Sequence, residues 1–169
     1  NGLQDGLEPG IQGVTVNLYD SSNVLVTTAT TDVNGIYAFS NLNPGTYVVE
    51  FVSPSGFVFS PKDVGTNDAA DSDADPTTGR TATVTLAPNE SNLDVDAGLY
   101  QKASIGDFVW DDPDMNGIQN TGELGLSNVS VTLYRCSDNT AVASATTNGS
   151  GNYLFTGQEP GSYYVGFVA

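Results

Sequence analysis

Apolar and polar residues alternate with a period of two along most of this chain. Val14-Thr15-Val16-Asn17-Leu18 and Val129-Ser130-Val131-Thr132-Leu133 show it most plainly, and residues 24–31, 36–40, 46–52, 81–86, 93–99 and 105–110 continue it. Successive side chains of a strand point to opposite faces, so the alternation predicts strands with one buried face. Threonine, valine and tyrosine, which suit a pleated and half-buried surface, dominate these runs. Turn-forming clusters separate them: Asp32-Val33-Asn34-Gly35, Asn43-Pro44-Gly45, Ser150-Gly151 and Glu159-Pro160-Gly161. No stretch sustains an apolar period near 3.6 residues, and almost no helix is expected. Short strands with turns at near-regular spacing imply an all-β chain folded as a β-sandwich.

The pattern also repeats. Asn1, Gly2, Leu3, Asp5 and Glu8 match Asn116, Gly117, Ile118, Asn120 and Glu123 at an offset of 115 residues, and Ile11–Tyr19 then matches Leu126–Tyr134. After one inserted residue, Asn34–Phe39 faces Ser150–Phe155, Pro44–Tyr47 faces Pro160–Tyr163, and Phe51 faces Phe167. The period is too long for a solenoid, so each repeat is a domain of ordinary size. The expected organisation is a nearly complete unit at 1–100, a short linker at 101–103, and a partial unit at 104–169. A three-residue linker leaves little slack, so neighbouring units are expected to touch or to be held at a restricted angle. By the repeat, the first unit expects a strand before Asn1 and the second expects further strands after Ala169. Those strands belong to a longer chain, the favoured reading, or come from a neighbouring subunit.

Residues Asp112 to Glu123, D-P-D-M-N-G-I-Q-N-T-G-E, fit the calcium loop D-x-[DN]-x-[DN]-G-x5-E. Asp112, Asp114 and Asn116 present side-chain oxygens at positions 1, 3 and 5. Gly117 allows the sharp turn at position 6, and Ile118 offers its carbonyl at position 7. Asn120 stands at the often water-mediated position 9, and Glu123 is the bidentate ligand at position 12. The competing reading is an acidic, glycine-rich turn with no metal. By the repeat, Asn1, Leu3, Asp5 and Glu8 are the rear half of a second such loop.

Asp63–Asp75, D-V-G-T-N-D-A-A-D-S-D-A-D, is a further acidic segment. Asp68, Asp71, Asp73 and Asp75 repel one another unless a cation or water separates them. An all-oxygen ligand set suits calcium; a solvated acidic loop is the alternative. Asp94, Asp96 and Asp107 are further candidates to complete such sites. The chain carries 20 acidic and 4 basic residues, a net charge of −16, which argues against nucleic acid as a partner, since phosphate binding needs a basic surface, and against anionic membranes. No apolar run of membrane-spanning length is present. One cysteine, Cys136, and no histidine give no disulfide framework, no zinc site and no histidine-based catalysis. Cys136 is expected to be half-buried or paired with a cysteine outside this sequence. Trp110 reads as a core or sheet-edge anchor. The recurrence of tyrosine at 37, 47, 153 and 163 suits packing better than a carbohydrate platform.

Taken in order, Gly106–Asn120, Glu123–Val131, Thr30–Phe39, Leu42–Phe51, Asp71–Asp75 and Asp96–Tyr100 resemble the B-type repeats of serine–aspartate repeat surface proteins, the SdrD B-like family, over essentially the whole chain. The resemblance implies tandem immunoglobulin-like (Cna-B-like) β-sandwiches, extracellular at a cell surface, with several calcium ions per domain that rigidify the array. It assigns Asp112, Asp114, Asn116, Ile118, Asn120 and Glu123 to the loop site and the Asp68–Asp75 segment to further sites. Related Cna-B domains carry Lys–Asn crosslinks, but Lys62 and Lys102 fit no such pattern and no crosslink is expected. Three functions compete. The leading one is a calcium-stiffened spacer in a bacterial adhesin, stalk or filament, with neighbouring repeats or identical subunits as partners. The second is a recognition module for a host protein, glycan or matrix surface, and the third is a filament subunit assembled by strand exchange. No enzymatic role is expected.

Overall fold

A computed structural model of the chain describes residues 1–6 and 8–168. It divides into two compact units, Asn1–Gln101 and Lys102–Ala169. Every regular element among the described residues is a strand, and every ladder is antiparallel. Unit 1 contains β1 (Thr15–Asp20), β2 (Leu25–Thr30), β3 (Gly45–Val52), β4 (Phe57–Phe59), β5 (Val84–Leu86) and β6 (Leu99–Gln101). They form a four-stranded sheet in the order β2-β1-β3-β5 and a two-stranded sheet of β4 and β6. Unit 2 contains β7 (Ala103–Phe108), β8 (Ser130–Arg135), β9 (Ala141–Thr146), β10 (Asn152–Gln158) and β11 (Tyr163–Val168). Here the sheets are β11-β8-β9 and β10-β7.

Alternation decides what each sheet buries. In β1, Val16 and Leu18 are buried, and across the ladder they face Phe51 and Val49 of β3, also buried. Tyr37, Phe39, Phe59, Val95 and Ala97 close over this cluster from the other side. Unit 2 repeats the scheme on a smaller scale, with Val131, Leu133 and Phe155 buried and Tyr153, Tyr163 and Val165 packed against them. The recurring tyrosines sit in these cores. Tyr37 meets Phe39 and Phe51 edge-on with ring centroids 5.5 Å apart in both pairs, and Tyr153 meets Phe155 and Phe167 in the same manner. Edge-to-face pairs of this kind add to simple area burial. The Tyr47 and Tyr163 hydroxyls donate to the carbonyls of Asn43 and Glu159, four residues upstream in each case.

A buried threonine recurs in the same way. The Thr31 hydroxyl donates to the Ile11 carbonyl (2.6 Å) and accepts from the Val14 N–H (2.9 Å). Thr147 does the same with the Leu126 carbonyl (2.6 Å) and the Val129 N–H (2.9 Å). Each hydroxyl ties the segment entering β1 or β8 to the strand beside it. Thr147→Val keeps the shape and strands both backbone groups, so unit 2 is expected to lose about 1–2 kcal/mol, read from denaturant unfolding.

Glu50 on β3 anchors a polar network on the outer face of unit 1. It accepts from Asn17 (3.0 Å), the Tyr19 hydroxyl (2.7 Å) and Arg80 Nε (3.0 Å), while the Arg80 guanidinium lies 4.4 Å from the Tyr19 ring centroid. Burial pushes the Glu50 carboxyl up, but these hydrogen bonds and the Arg80 charge outweigh it and hold the carboxyl below the usual glutamate range. A lowered folded-state pKa gives stability that is present above the unfolded value, about pH 4.3, and lost as pH falls through the folded value. Glu50→Gln is therefore expected to cost about 1 kcal/mol at pH 7 and to flatten the acid arm of the stability profile.

Four local expectations change. Residues 36–40 alternate like a strand but form none, because no strand lies beside them among the described residues; their counterpart β10 is ordered by its ladder with β7. Residues 93–98 form no ladder, and pairing starts only at Leu99 in β6. The expected linker is mostly strand, since Gln101 ends β6 and Ala103 opens β7. Cys136 is exposed rather than half-buried, because it follows the end of β8 in the turn toward β9. Trp110 stacks on Phe108 at 6.4 Å and bridges Gly125 at the sheet margin.

Candidate metal centre

The loop from Asp112 to Glu123 hangs from a closed stem in unit 2. The Asp111 N–H donates to the Leu124 carbonyl (2.9 Å), and the Leu126 N–H donates to the Val109 carbonyl (2.8 Å). A third segment braces the stem, where the Val109 N–H donates to the Gly151 carbonyl (2.9 Å). Gly125 is seated so closely that a Cβ there would overlap the Ser150 carbonyl group and lie 2.9 Å from the Gly151 N. Unit 1 repeats the seat, with Gly10 against Asn34 and Gly35. Both ends of the loop are thus fixed to the sandwich before any side chain in it is considered.

Within the loop, carboxylates organise the backbone. Asp112 accepts from the Gly117 N–H (2.9 Å) and the Asn116 N–H (3.3 Å), and Asn116 Oδ1 accepts from the Ile118 N–H (2.6 Å). Glu123 accepts from the Asn120 N–H (2.8 Å), and Asp114 accepts from the Asn116 side chain (2.8 Å). Met115 and Gly117 take φ of 56° and 72°, a left-handed pair that folds the loop back so that its oxygens face inward. Carboxylate oxygens of Asp112, Asp114 and Glu123 come within 4.8 Å of one another. The Gly117 N–H leads the effects that hold the Asp112 carboxyl below the usual aspartate range. Three hard anionic oxygens on one short loop, with the amides of Asn116 and Asn120 beside them, fit a calcium ion.

The half-loop of unit 1 reproduces this bonding. The Leu3 N–H donates to Asn1 Oδ1 (2.9 Å), and the Asp5 N–H donates to Glu8 Oε2 (3.1 Å), as Ile118 and Asn120 do in unit 2. It lies along the acidic segment. Leu3 bridges Asp71, the Gln4 N–H donates to the Ala70 carbonyl (2.7 Å), and the Ser72 N–H donates to the Gly2 carbonyl (3.2 Å).

The acidic segment itself divides. Asp71 is buried, and its Oδ1 has no hydrogen-bond partner among the described residues. Asp73 accepts from the Asp96 N–H (2.9 Å), which brings Asp96 to the cluster. Burial, followed by the charges of Asp73, Asp71, Asp68 and Asp94, pushes the Asp96 carboxyl up to about 7. Burial, offset in part by the Asp96 N–H, and the charges of Asp68, Asp71 and Asp63 raise Asp73. Tyr37 is raised as well, by burial first and then by Asp73 and Asp96. An unpartnered buried oxygen among mutually repelling carboxylates is the environment that a cation relieves. Asp75 plays a different part. It accepts from the Thr77 and Thr78 N–H groups (3.0 and 2.9 Å) and caps the turn there. Asp107 lies on β7, where its charge reaches Tyr153.

The ordering of these features along the chain matches a known family twice, over residues 1–99 and again over residues 103–169. The chain belongs to the SdrD B-like domain family. It is 43% identical over 171 residues to serine-aspartate repeat-containing protein F of Staphylococcus epidermidis, covering 99% of this chain and 10% of that protein. It is 38% identical over 168 residues to serine-aspartate repeat-containing protein D of Staphylococcus aureus strain Newman, covering 99% of this chain and 12% of that one. The chain therefore spans about a tenth of the length of these relatives. Among solved structures, the Bacillus anthracis TIE protein superposes with a TM-score of 0.41 at 16% identity, over 98% of this chain and 26% of the other. The two SdrD B-like units are repeat modules with the antiparallel sheets of immunoglobulin-like sandwiches. No helix among the described residues is long and apolar enough to cross a membrane.

The threonine pair and the glycine seat are not evident from spacing or composition. Thr31 and Thr147 share an offset of 116, and Gly10 and Gly125 share an offset of 115, so recurrence is the signal in the sequence that could find them.

Proposed function

We propose that this pair of SdrD B-like units is a calcium-stiffened spacer segment of a bacterial cell-surface adhesin, stalk or filament. The observation that carries the reading is the convergence of the Asp112, Asp114 and Glu123 oxygens within 4.8 Å on a loop anchored at both ends. The naming of both relatives as repeat-containing proteins supports a repeated, extended setting. Calcium binding to the folded form lowers its free energy by RT ln(1 + [L]/Kd). Loops of this chemistry in extracellular modules bind at about 10⁻⁴–10⁻³ M. Extracellular calcium would then occupy sites that a low-calcium cytosol leaves empty. Asp112, Asp114, Asn116, Ile118, Asn120 and Glu123 form the loop site in unit 2. Asp68, Asp71 and Asp73, joined by Asp96, form a second site in unit 1 beside the half-loop of Asn1, Leu3, Asp5 and Glu8.

Calorimetric titration of the chain with calcium tests the reading directly. Saturable binding that falls by one site in Glu123→Gln is expected. Heats indistinguishable from dilution at millimolar calcium would leave both sites as acidic turns.

A further inference from the structure

Asparagine is followed by glycine at four places, Asn1-Gly2, Asn34-Gly35, Asn116-Gly117 and Asn148-Gly149. Such a pair is chemically self-reactive when the glycine nitrogen reaches the asparagine Cγ. Three of the four are held. The Gly35 N–H donates to the Asp32 carbonyl (3.0 Å), and the Gly117 N–H donates to Asp112 Oδ2 (2.9 Å). Gly2 is buried, and a Cβ there would overlap the Pro61 carbonyl oxygen. Asn148 differs. It is exposed, the Gly149 N–H has no hydrogen-bond partner among the described residues, and a Cβ on Gly149 would meet nothing within 4 Å. This openness belongs to the turn itself. In unit 1 the corresponding residues 32–34 are exposed as well, beside later strands that are present there. Asn148 Oδ1 accepts from the Ser150 N–H (2.9 Å) and the Asn152 N–H (3.0 Å). The first bond draws the side chain back over the Gly149 peptide. Together the two donors stand where negative charge develops on Oδ1 as Cγ is attacked.

We infer that Asn148 is a site of spontaneous deamidation, with water as the co-reactant. The Gly149 nitrogen gives its proton to solvent and bonds to Asn148 Cγ. The Cγ–Nδ2 bond breaks, Nδ2 takes up a proton and leaves as ammonia, and water opens the resulting succinimide at one of its two carbonyls. Opening at Cγ leaves aspartate, and the internal repeat already contains that product. Asp32 stands at the same place in unit 1, where its Oδ1 accepts from the Asn34 N–H (2.8 Å) and the Ile36 N–H (2.9 Å). The turn therefore accepts the new carboxylate without rearranging. Opening at the main-chain carbonyl leaves isoaspartate, which routes the backbone through Cβ and lengthens the turn. That turn positions Gly151, whose N–H donates to the Asn148 carbonyl (2.9 Å) and whose carbonyl accepts from the Val109 N–H (2.9 Å). Isoaspartate thus slackens the brace on the loop stem, a slow and one-way loosening of unit 2.

The test incubates the whole chain below its unfolding midpoint, at neutral and mildly alkaline pH. Chelator is present, so the outcome does not depend on the calcium reading. Mass spectrometry of proteolytic peptides locates the modified asparagines, and an isoaspartyl methyltransferase assay measures isoaspartate. Conversion at Asn148 is expected to run at least about tenfold faster than at Asn34 or Asn116, the factor imposed by an added barrier of about one hydrogen bond. It should quicken at the higher pH, because the nitrogen attacks in its deprotonated form. Gly149→Ala, whose methyl group enters open space but crowds the attacking nitrogen, should slow conversion by a similar factor and leave the unfolding midpoint in place. Asn148→Asp should keep the midpoint of unit 2, whereas the isoaspartate fraction should unfold at a lower temperature. The inference is overturned if Asn148 stays intact, if the three sites convert equally, if Gly149→Ala converts at the parent rate, or if the isoaspartate fraction is as stable as the parent.

Discussion

Chelating calcium is expected to lower the unfolding temperature of this chain substantially, and restoring it to raise the midpoint again. With Kd near 10⁻⁴–10⁻³ M and calcium at about 10 mM, each filled site contributes roughly 1.4–2.7 kcal/mol. For units of this size that corresponds to roughly 6–20 °C. Differential scanning calorimetry with and without chelator gives the measurement. Two conditions separate a ligand role from a structural one. Asp112→Asn keeps an acceptor for the Gly117 N–H but removes a charge from the cluster. In calcium it should lose most of the shift in unit 2. In chelator it should fall only slightly below the wild type, because the hydrogen bonds that hold the Asp112 carboxyl below the usual range favour its charged form. A loss much larger in calcium than in chelator is what a metal ligand produces. A variant equally destabilised in both conditions would show that Asp112 serves only the hydrogen bonds of the turn. A wild-type chain indifferent to chelator would remove the calcium reading for both units.

How far the sequence alone leads depends on what each feature needs for its formation. The loop site is legible because its candidate ligands lie within twelve consecutive residues, and local spacing sets which oxygens converge. The second cluster is legible only in part. Asp71 and Asp73 can be read from the string, whereas Asp96 is there only one of three further candidates until a hydrogen bond spanning 23 residues brings it to Asp73, and Asp75 also caps Thr77 and Thr78. No pattern in the D-x-D run separates these roles; the path of the chain does. The strands show the same division. Alternation locates β1, β3 and β8 because their buried faces are fixed by period alone. It also marks 36–40, where the period is right but a ladder needs a second strand. Periodicity reports which face a segment would bury, and it is silent on whether a partner lies beside it.

Gly125→Val is expected to be the most damaging single change near the site. The new side chain must begin where the Ser150 carbonyl group already stands, with Gly151 N at 2.9 Å. These are backbone atoms, so no rotamer change relieves the contact. Either the turn at 148–152 moves off or the loop exit lifts. Both routes open the same three-segment junction, because the Val109 N–H holds Gly151 and the Val109 carbonyl holds the Leu126 N–H. Overpacking against rigid neighbours costs typically about 1–3 kcal/mol and sometimes more, and the loss of junction hydrogen bonds adds about 1 kcal/mol each. A total of about 3 kcal/mol or more is expected in unit 2, whose core has few buried side chains to absorb the change. Calcium affinity should fall with it, because Leu124 and Asp111 set the separation of Glu123 from Asp112 across the stem. The control is Gly117→Ala, where a Cβ meets open space and only the positive φ of 72° is strained. That change should cost about 1 kcal/mol and leave the stem intact. Unfolding and calcium titrations on the pair provide the check: comparable losses in the two variants would mean that the stem does not hold the loop in shape.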